Sequence, residues 1–120
     1  MLDIRPDGKQ PIYEQLYNGI IALIASGNLS PEEKLPAVRE IAKKLGVNPN
    51  TVQKAYAMLE QKGFIYSIPA KGSYVSPKAE ATDALRSENL KKLTEALTSA
   101  KNSGIKKSDI LRITDEIWDD

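Results

Sequence analysis

Three helices, a short β-hairpin and two further helices make a mainly α architecture, and this is the fold class the sequence predicts. Three observations predict it. Apolar residues recur at helical spacing over three early stretches, each followed by a glycine. A β-branched and aromatic run, "FIYSIPAKGSYVSP", follows the third stretch and is interrupted by turn-forming residues. Beyond Pro77 nothing breaks a helix until Gly104.

The first helix is expected over "PIYEQLYNGIIALIASG", with Pro11 in the first helical position and Gly27 as its stop. Ile12, Leu16, Ile20, Leu23 and Ile24 form its buried stripe. The second is expected to begin near Pro36 and to run through "AVREIAKKL", ending at Gly46. There Val38, Ile41, Ala42 and Leu45 face inward while Arg39, Lys43 and Lys44 face out. In "LGVNPNTVQKAYAMLEQKG", residues 45–63, Asn48 suits an N-cap and Pro49 the first position of a third helix that Gly63 closes. Val52, Ala55, Tyr56 and Leu59 share one side of it, while Asn50, Lys54, Ala57 and Gln61 lie opposite with Gln53 on the flank.

Residues 64–68 and 73–76 read as the two strands of the hairpin, joined by Pro69, Ala70, Lys71 and Gly72, with a lysine near the tip. Three helices and a hairpin wing make a winged helix-turn-helix over residues 1–76. In the remainder, 77–120, Leu90, Leu93, Leu97 and Ala100 form one apolar stripe. Ile110, Ile113 and Ile117 form a second, with Ser108 as N-cap. Two amphipathic helices of that length cannot bury their apolar faces alone; they need the first region or a second copy of themselves.

Composition narrows the chemistry. The 120 residues hold no cysteine and no histidine, which removes disulfides, thiolate metal sites and the usual neutral-pH general base. No metal, cofactor or enzymatic activity is expected. The polar N-terminus is unlike a secretory signal, and no apolar run approaches the roughly 18 residues of a membrane span, so a cytoplasmic protein is expected. Between Lys34 and Lys78 there are eight basic residues and two acids, Glu40 and Glu60, whereas residues 79–120 hold seven basic and nine acidic. The middle third is thus where a polyanion could be met.

A helix-turn-helix presents the start of its second helix to the DNA major groove. Asn50, Thr51, Gln53 and Lys54 are small, polar or basic, and their side chains can reach base edges or phosphates. Arg39 is the other natural reader of guanine or phosphate. Each has a plainer use as well: Asn48 as a cap alone, Lys54 solvated, Arg39 paired with Glu40 or Glu33, Lys71 and Gly72 as no more than a turn. The five tyrosines and tryptophan are expected in core or dimer packing rather than around a ligand.

The stretch from "PIYEQLYNGI" through "KLPAVREIAKKLGVNPNTVQKAYAMLEQKGFIYSIPAKGSYV", residues 11–75, resembles the GntR family of bacterial transcription regulators. The short helical tail is similar to that of the YtrA-like subfamily. The resemblance implies a homodimer that binds a roughly palindromic DNA operator, usually to repress transcription, in some relatives beside transporter genes. It implies DNA contacts by Arg39, Asn50, Thr51, Gln53, Lys71 and Gly72, to which the helical wheel adds Lys54. Dimerisation would fall to Leu90, Leu93, Leu97, Ile110, Ile113 and Ile117. The chain departs from many relatives at Pro49, Gln53 and Ala70, where a basic residue, an arginine and a glycine are common. A winged helix that only binds other proteins is the alternative. No effector is identified; two helices hardly enclose a pocket of about 300 Å³, so a small ligand is expected at a dimer interface or between tail and first region.

Overall fold

The computed structural model describes residues 2–119; Met1 and Asp120, the outer ends of the two expected regions, lie outside the described residues. The order is α1 (Ile12–Ser26), α2 (Val38–Leu45), α3 (Pro49–Gln61), β1 (Ile65–Ile68), β2 (Gly72–Val75), α4 (Lys78–Asn102) and α5 (Lys107–Ile117). The mainly α winged helix is therefore present. The residues group into two compact units, one ending at Arg86 and the other beginning at Ser87.

In the first unit α1 buries Leu16, Tyr17, Ile20, Ile21 and Ile24. Its start differs from expectation by one residue. Pro11 is the N-cap, because its ψ of 149° is extended and its carbonyl already accepts from Gln15 N–H at 3.1 Å. The α2 helix starts two residues after Pro36. Leu35 N–H donates to Ser73 O at 2.8 Å, so the chain is still held extended against the hairpin where the helix was expected. The α3 face of Val52, Ala55, Tyr56 and Leu59 is buried as its spacing predicts.

The two strands pair antiparallel, with Ile65 opposite Val75 and Ile68 opposite Gly72. Phe64 and Ser76, expected inside the strands, lie just beyond them, although Ser76 N–H still donates to Phe64 O at 3.0 Å. Tyr66 stacks on its cross-strand partner Tyr74 with ring centres 5.6 Å apart. Phe64 is fully buried and meets the Tyr17 ring edge-on at 6.4 Å. Ala81 and Ala84 from the first turns of α4 complete this core.

In the second unit α4 ends where Gly104 turns and Ile105 N–H returns to Ala100 O at 3.0 Å. The helix resumes at Lys107 with Lys106 as its N-cap, so Ser108 is inside α5 rather than capping it. Lys106 already has the extended backbone of a cap, with ψ 150°, so α5 begins earlier than a cap at Ser108 would place it. No helix among the described residues is long and apolar enough to cross a membrane.

Candidate nucleic-acid interface

The turn between α2 and α3 sets the angle of the surface in question. Gly46 takes a left-handed φ of +67°, and Val47 N–H closes back on Ala42 O at 3.0 Å. The Asn48 side chain then accepts from Asn50 N–H at 2.8 Å, with Pro49 in the first helical position. A further bond ties α3 to the segment that enters α2: Tyr56 OH donates to Pro36 O at 2.6 Å. Burial, and secondarily the charge of Glu40, push the Tyr56 phenol well above its ordinary range, so it remains a protonated donor.

With Val52, Ala55 and Leu59 completely buried, the opposite side of α3 has one direction left to face. Asn50, Gln53, Lys54, Ala57 and Gln61 are exposed, and Thr51 is half-buried in the first turn. Arg39 is exposed near the start of α2. It makes no ion pair with any described residue, and Glu33, one of its expected partners, instead accepts from Ser30 N–H at 2.9 Å. The guanidinium is available.

Lys54 is placed differently from its neighbours. Its ammonium rests over the Tyr13 ring of α1, 3.8 Å from the ring centre. A cation so placed is attracted by the negative face of the ring, by about 0.5–1 kcal/mol at an exposed site. Tyr13 thus belongs to this surface, and no local pattern signals it, because the contact joins two helices far apart in the chain.

The wing stands beside α3. Lys71 N–H donates to Ile68 O at 3.0 Å, closing a turn with Pro69 second and Ala70 third. Ala70 has φ +65°, the left-handed value this turn requires and which glycine usually supplies. The tip therefore keeps its turn despite the departure at Ala70, and both Lys71 and Gly72 are exposed there. Between wing and helix runs a groove of about 500 Å³ lined by Gln53, Tyr56, Ala57, Glu60 and Ser67. Glu60, the one acid of α3, accepts a hydrogen bond from the Ser67 hydroxyl of β1. Its charge is thereby tied to the hairpin. The helix start, Arg39 and the wing tip all belong to the first unit. Leu90, Leu93, Leu97, Ile113 and Ile117 are exposed in the second unit, and Ile110 is half-buried.

The family model for bacterial regulatory proteins, gntR family, matches residues 12–75, more than half of the chain. The HTH-type transcriptional repressor YtrA of Bacillus subtilis is 43% identical over 82 residues, which are 68% of this chain and 63% of the repressor. This chain thus spans less than two thirds of that relative. A GntR family transcriptional regulator from Listeria monocytogenes superposes with a TM-score of 0.70 at 35% identity, covering 92% of this chain and 97% of the other. The DNA-binding domain of AraR, solved in complex with operator ORX1, superposes with a TM-score of 0.58 at 29% identity, covering 62% of this chain and 96% of the domain. These relatives are transcription regulators, not enzymes.

Proposed function

This chain belongs to the gntR family of bacterial regulatory proteins, and on that premise we propose that it is a sequence-specific DNA-binding repressor acting as a homodimer on a palindromic operator. One observation carries the reading. The start of α3 is exposed and free of acids, and buried residues on its other side fix the direction in which it points. Asn50, Thr51 and Gln53 would enter the major groove, and Arg39 would reach a guanine edge or a phosphate. Lys54 would approach from its seat on Tyr13, and Lys71 with Gly72 would bring the wing to the backbone. The AraR domain, with a related fold, was solved on an operator, and the YtrA relative is a repressor.

Residues 1–76 carry the DNA-binding role in this proposal and 77–120 the pairing of subunits. The exposed apolar residues Leu90, Leu93, Leu97, Ile113 and Ile117, with Ile110, supply the surface for a second copy. Two-fold pairing then spaces two recognition helices along one duplex. By the YtrA-like resemblance, the controlled genes are those of a transporter operon in the cytoplasm of a bacterium.

The test is binding of the full chain to a mixed-sequence duplex and to operators mapped in the genome, over a range of salt. Affinity falling steeply with salt is expected. Arg39→Ala should weaken operator binding by about 1–3 kcal/mol, and Lys71→Ala should weaken it with less dependence on sequence. Binding indifferent to salt, or an operator footprint unchanged by Arg39→Ala, would return the chain to the protein-interaction reading or remove Arg39 from the interface.

A further inference from the structure

Lys34 lies outside the seven elements, but the backbone makes it part of the wing. Residues 32–35 run along the edge of β2. Glu32 N–H donates to Val75 O at 2.8 Å, Val75 N–H to Glu33 O at 2.9 Å, and Leu35 N–H to Ser73 O at 2.8 Å. Lys34 itself faces Tyr74 across an antiparallel bridge. This short stretch is in effect a third strand of the hairpin, and three bonds fix its register.

The side chain lies across Gly72. A Cβ built on Gly72 would stand 3.2 Å from Lys34 Cε and 4.0 Å from its Nζ. The lysine stem passes where any other residue would place a side chain. Gly72 also has φ +122°, a backbone conformation that other residues avoid. The Lys34 ammonium is thereby delivered to the residue that follows Lys71. It is exposed and makes no ion pair with any described residue. The adjacent Glu33 is turned away, toward Ser30 N–H.

We infer that Lys34 is a wing residue that holds a backbone phosphate of duplex DNA, from a seat that the missing side chain at Gly72 leaves open. The inference rests on the DNA-binding reading above and adds a contact to it. An ammonium is a compact point charge without the flat fork that reads a base edge, so it suits a phosphate oxygen. Lys34 therefore contributes affinity rather than sequence choice, and Gly72 acts by housing it.

The experiment compares the full chain with Lys34→Met, which keeps an unbranched stem over Gly72 and removes the charge, and with Lys34→Arg, which keeps the charge. Binding to a mixed-sequence duplex and to a mapped operator is measured from 50 to 200 mM salt. Each phosphate contact contributes about 0.9 to the slope of log affinity against log salt. A homodimer carries two copies of Lys34, so over this fourfold rise the wild type should lose about twelvefold more affinity than Lys34→Met, equally on both duplexes. Lys34→Arg should keep the wild-type slope. Lys34→Gln provides a second uncharged variant should the methionine lower the melting temperature. A wild-type slope in both uncharged variants, or a loss confined to the operator, overturns the inference. A wild type that binds neither duplex overturns the DNA-binding reading itself, which is a separate result.

Discussion

Leu16, Val52, Leu59 and Phe64 are fully buried in the unit that ends at Arg86, whereas Leu90, Leu93, Leu97, Leu111, Ile113 and Ile117 in the unit from Ser87 keep 39–67% of their surface exposed. Trp118 keeps 73%. Both units carry similar helical periodicity, so the pattern alone does not separate them. The difference is in what each helix can reach. Three helices and a hairpin surround a common interior, while α4 beyond its first turns and α5 present an apolar surface larger than a lone pair of helices can hide. The first unit contains the means of its own stability, and the second leaves apolar surface uncovered.

The largest expected effect tests the closed half of this contrast. Phe64→Ala removes a completely buried ring that meets Tyr17 and should destabilise the first unit by about 3–5 kcal/mol. The single tryptophan, Trp118, lies in the other unit, so its fluorescence follows that unit while tyrosine signals follow the first. Urea unfolding should show the tyrosine transition moving strongly. A tyrosine midpoint that stays in place would mean the interior is not what holds the first unit together.

A smaller effect is expected in the open half. Burying one leucine or isoleucine is worth about 1.5–3 kcal/mol. Leu93→Ala with Ile113→Ala should therefore weaken self-association by at least that much, about ten- to a hundredfold in Kd. Sedimentation over a range of protein concentration measures it. The tyrosine-reported midpoint should not change with the pair, provided wild type and variant are compared where both are monomeric. Association untouched by the two truncations would place the subunit contact elsewhere.

The division between legible and illegible follows the same boundary between near and far. The inward face of α3, the Asn48 cap, the stop at Gly46 and the hairpin all come from residues a few places apart, and each is readable from spacing and residue type. So is the exposed polar start of α3. Contacts between distant parts of the chain left no such trace. Lys54 on Tyr13, Tyr56 on Pro36 and Lys34 over Gly72 join residues that no periodicity connects. The late start of α2 has this origin too, since pairing of Leu35 with Ser73 overrides the local helical pattern. The burial of Ala81 and Ala84 is hidden for another reason: alanine is as common on an exposed helix as in a core.

The smallest effect sharpens the contrast by asking what a polar group does inside the closed unit. The Tyr56 hydroxyl donates to Pro36 O from a buried ring, tying α3 to the entry of α2. Replacing it with phenylalanine removes one bond and should cost about 0.5–1.5 kcal/mol at neutral pH, since Pro36 is exposed and water can take over its carbonyl. The pH dependence reports that the fold keeps this phenol protonated. Burial first, then Glu40, hold the phenol above its ordinary value of about 10. Below that value both folded and unfolded chains keep the proton, and the contribution to stability is complete. As pH rises past it the unfolded chain releases the proton while the folded one retains it, so folding stability falls until the folded value is passed. Wild type should therefore lose stability in alkaline solution more steeply than Tyr56→Phe, whose curve lacks this component. Equal alkaline slopes in urea unfolding of the two proteins would show that the phenol is not held protonated by the fold.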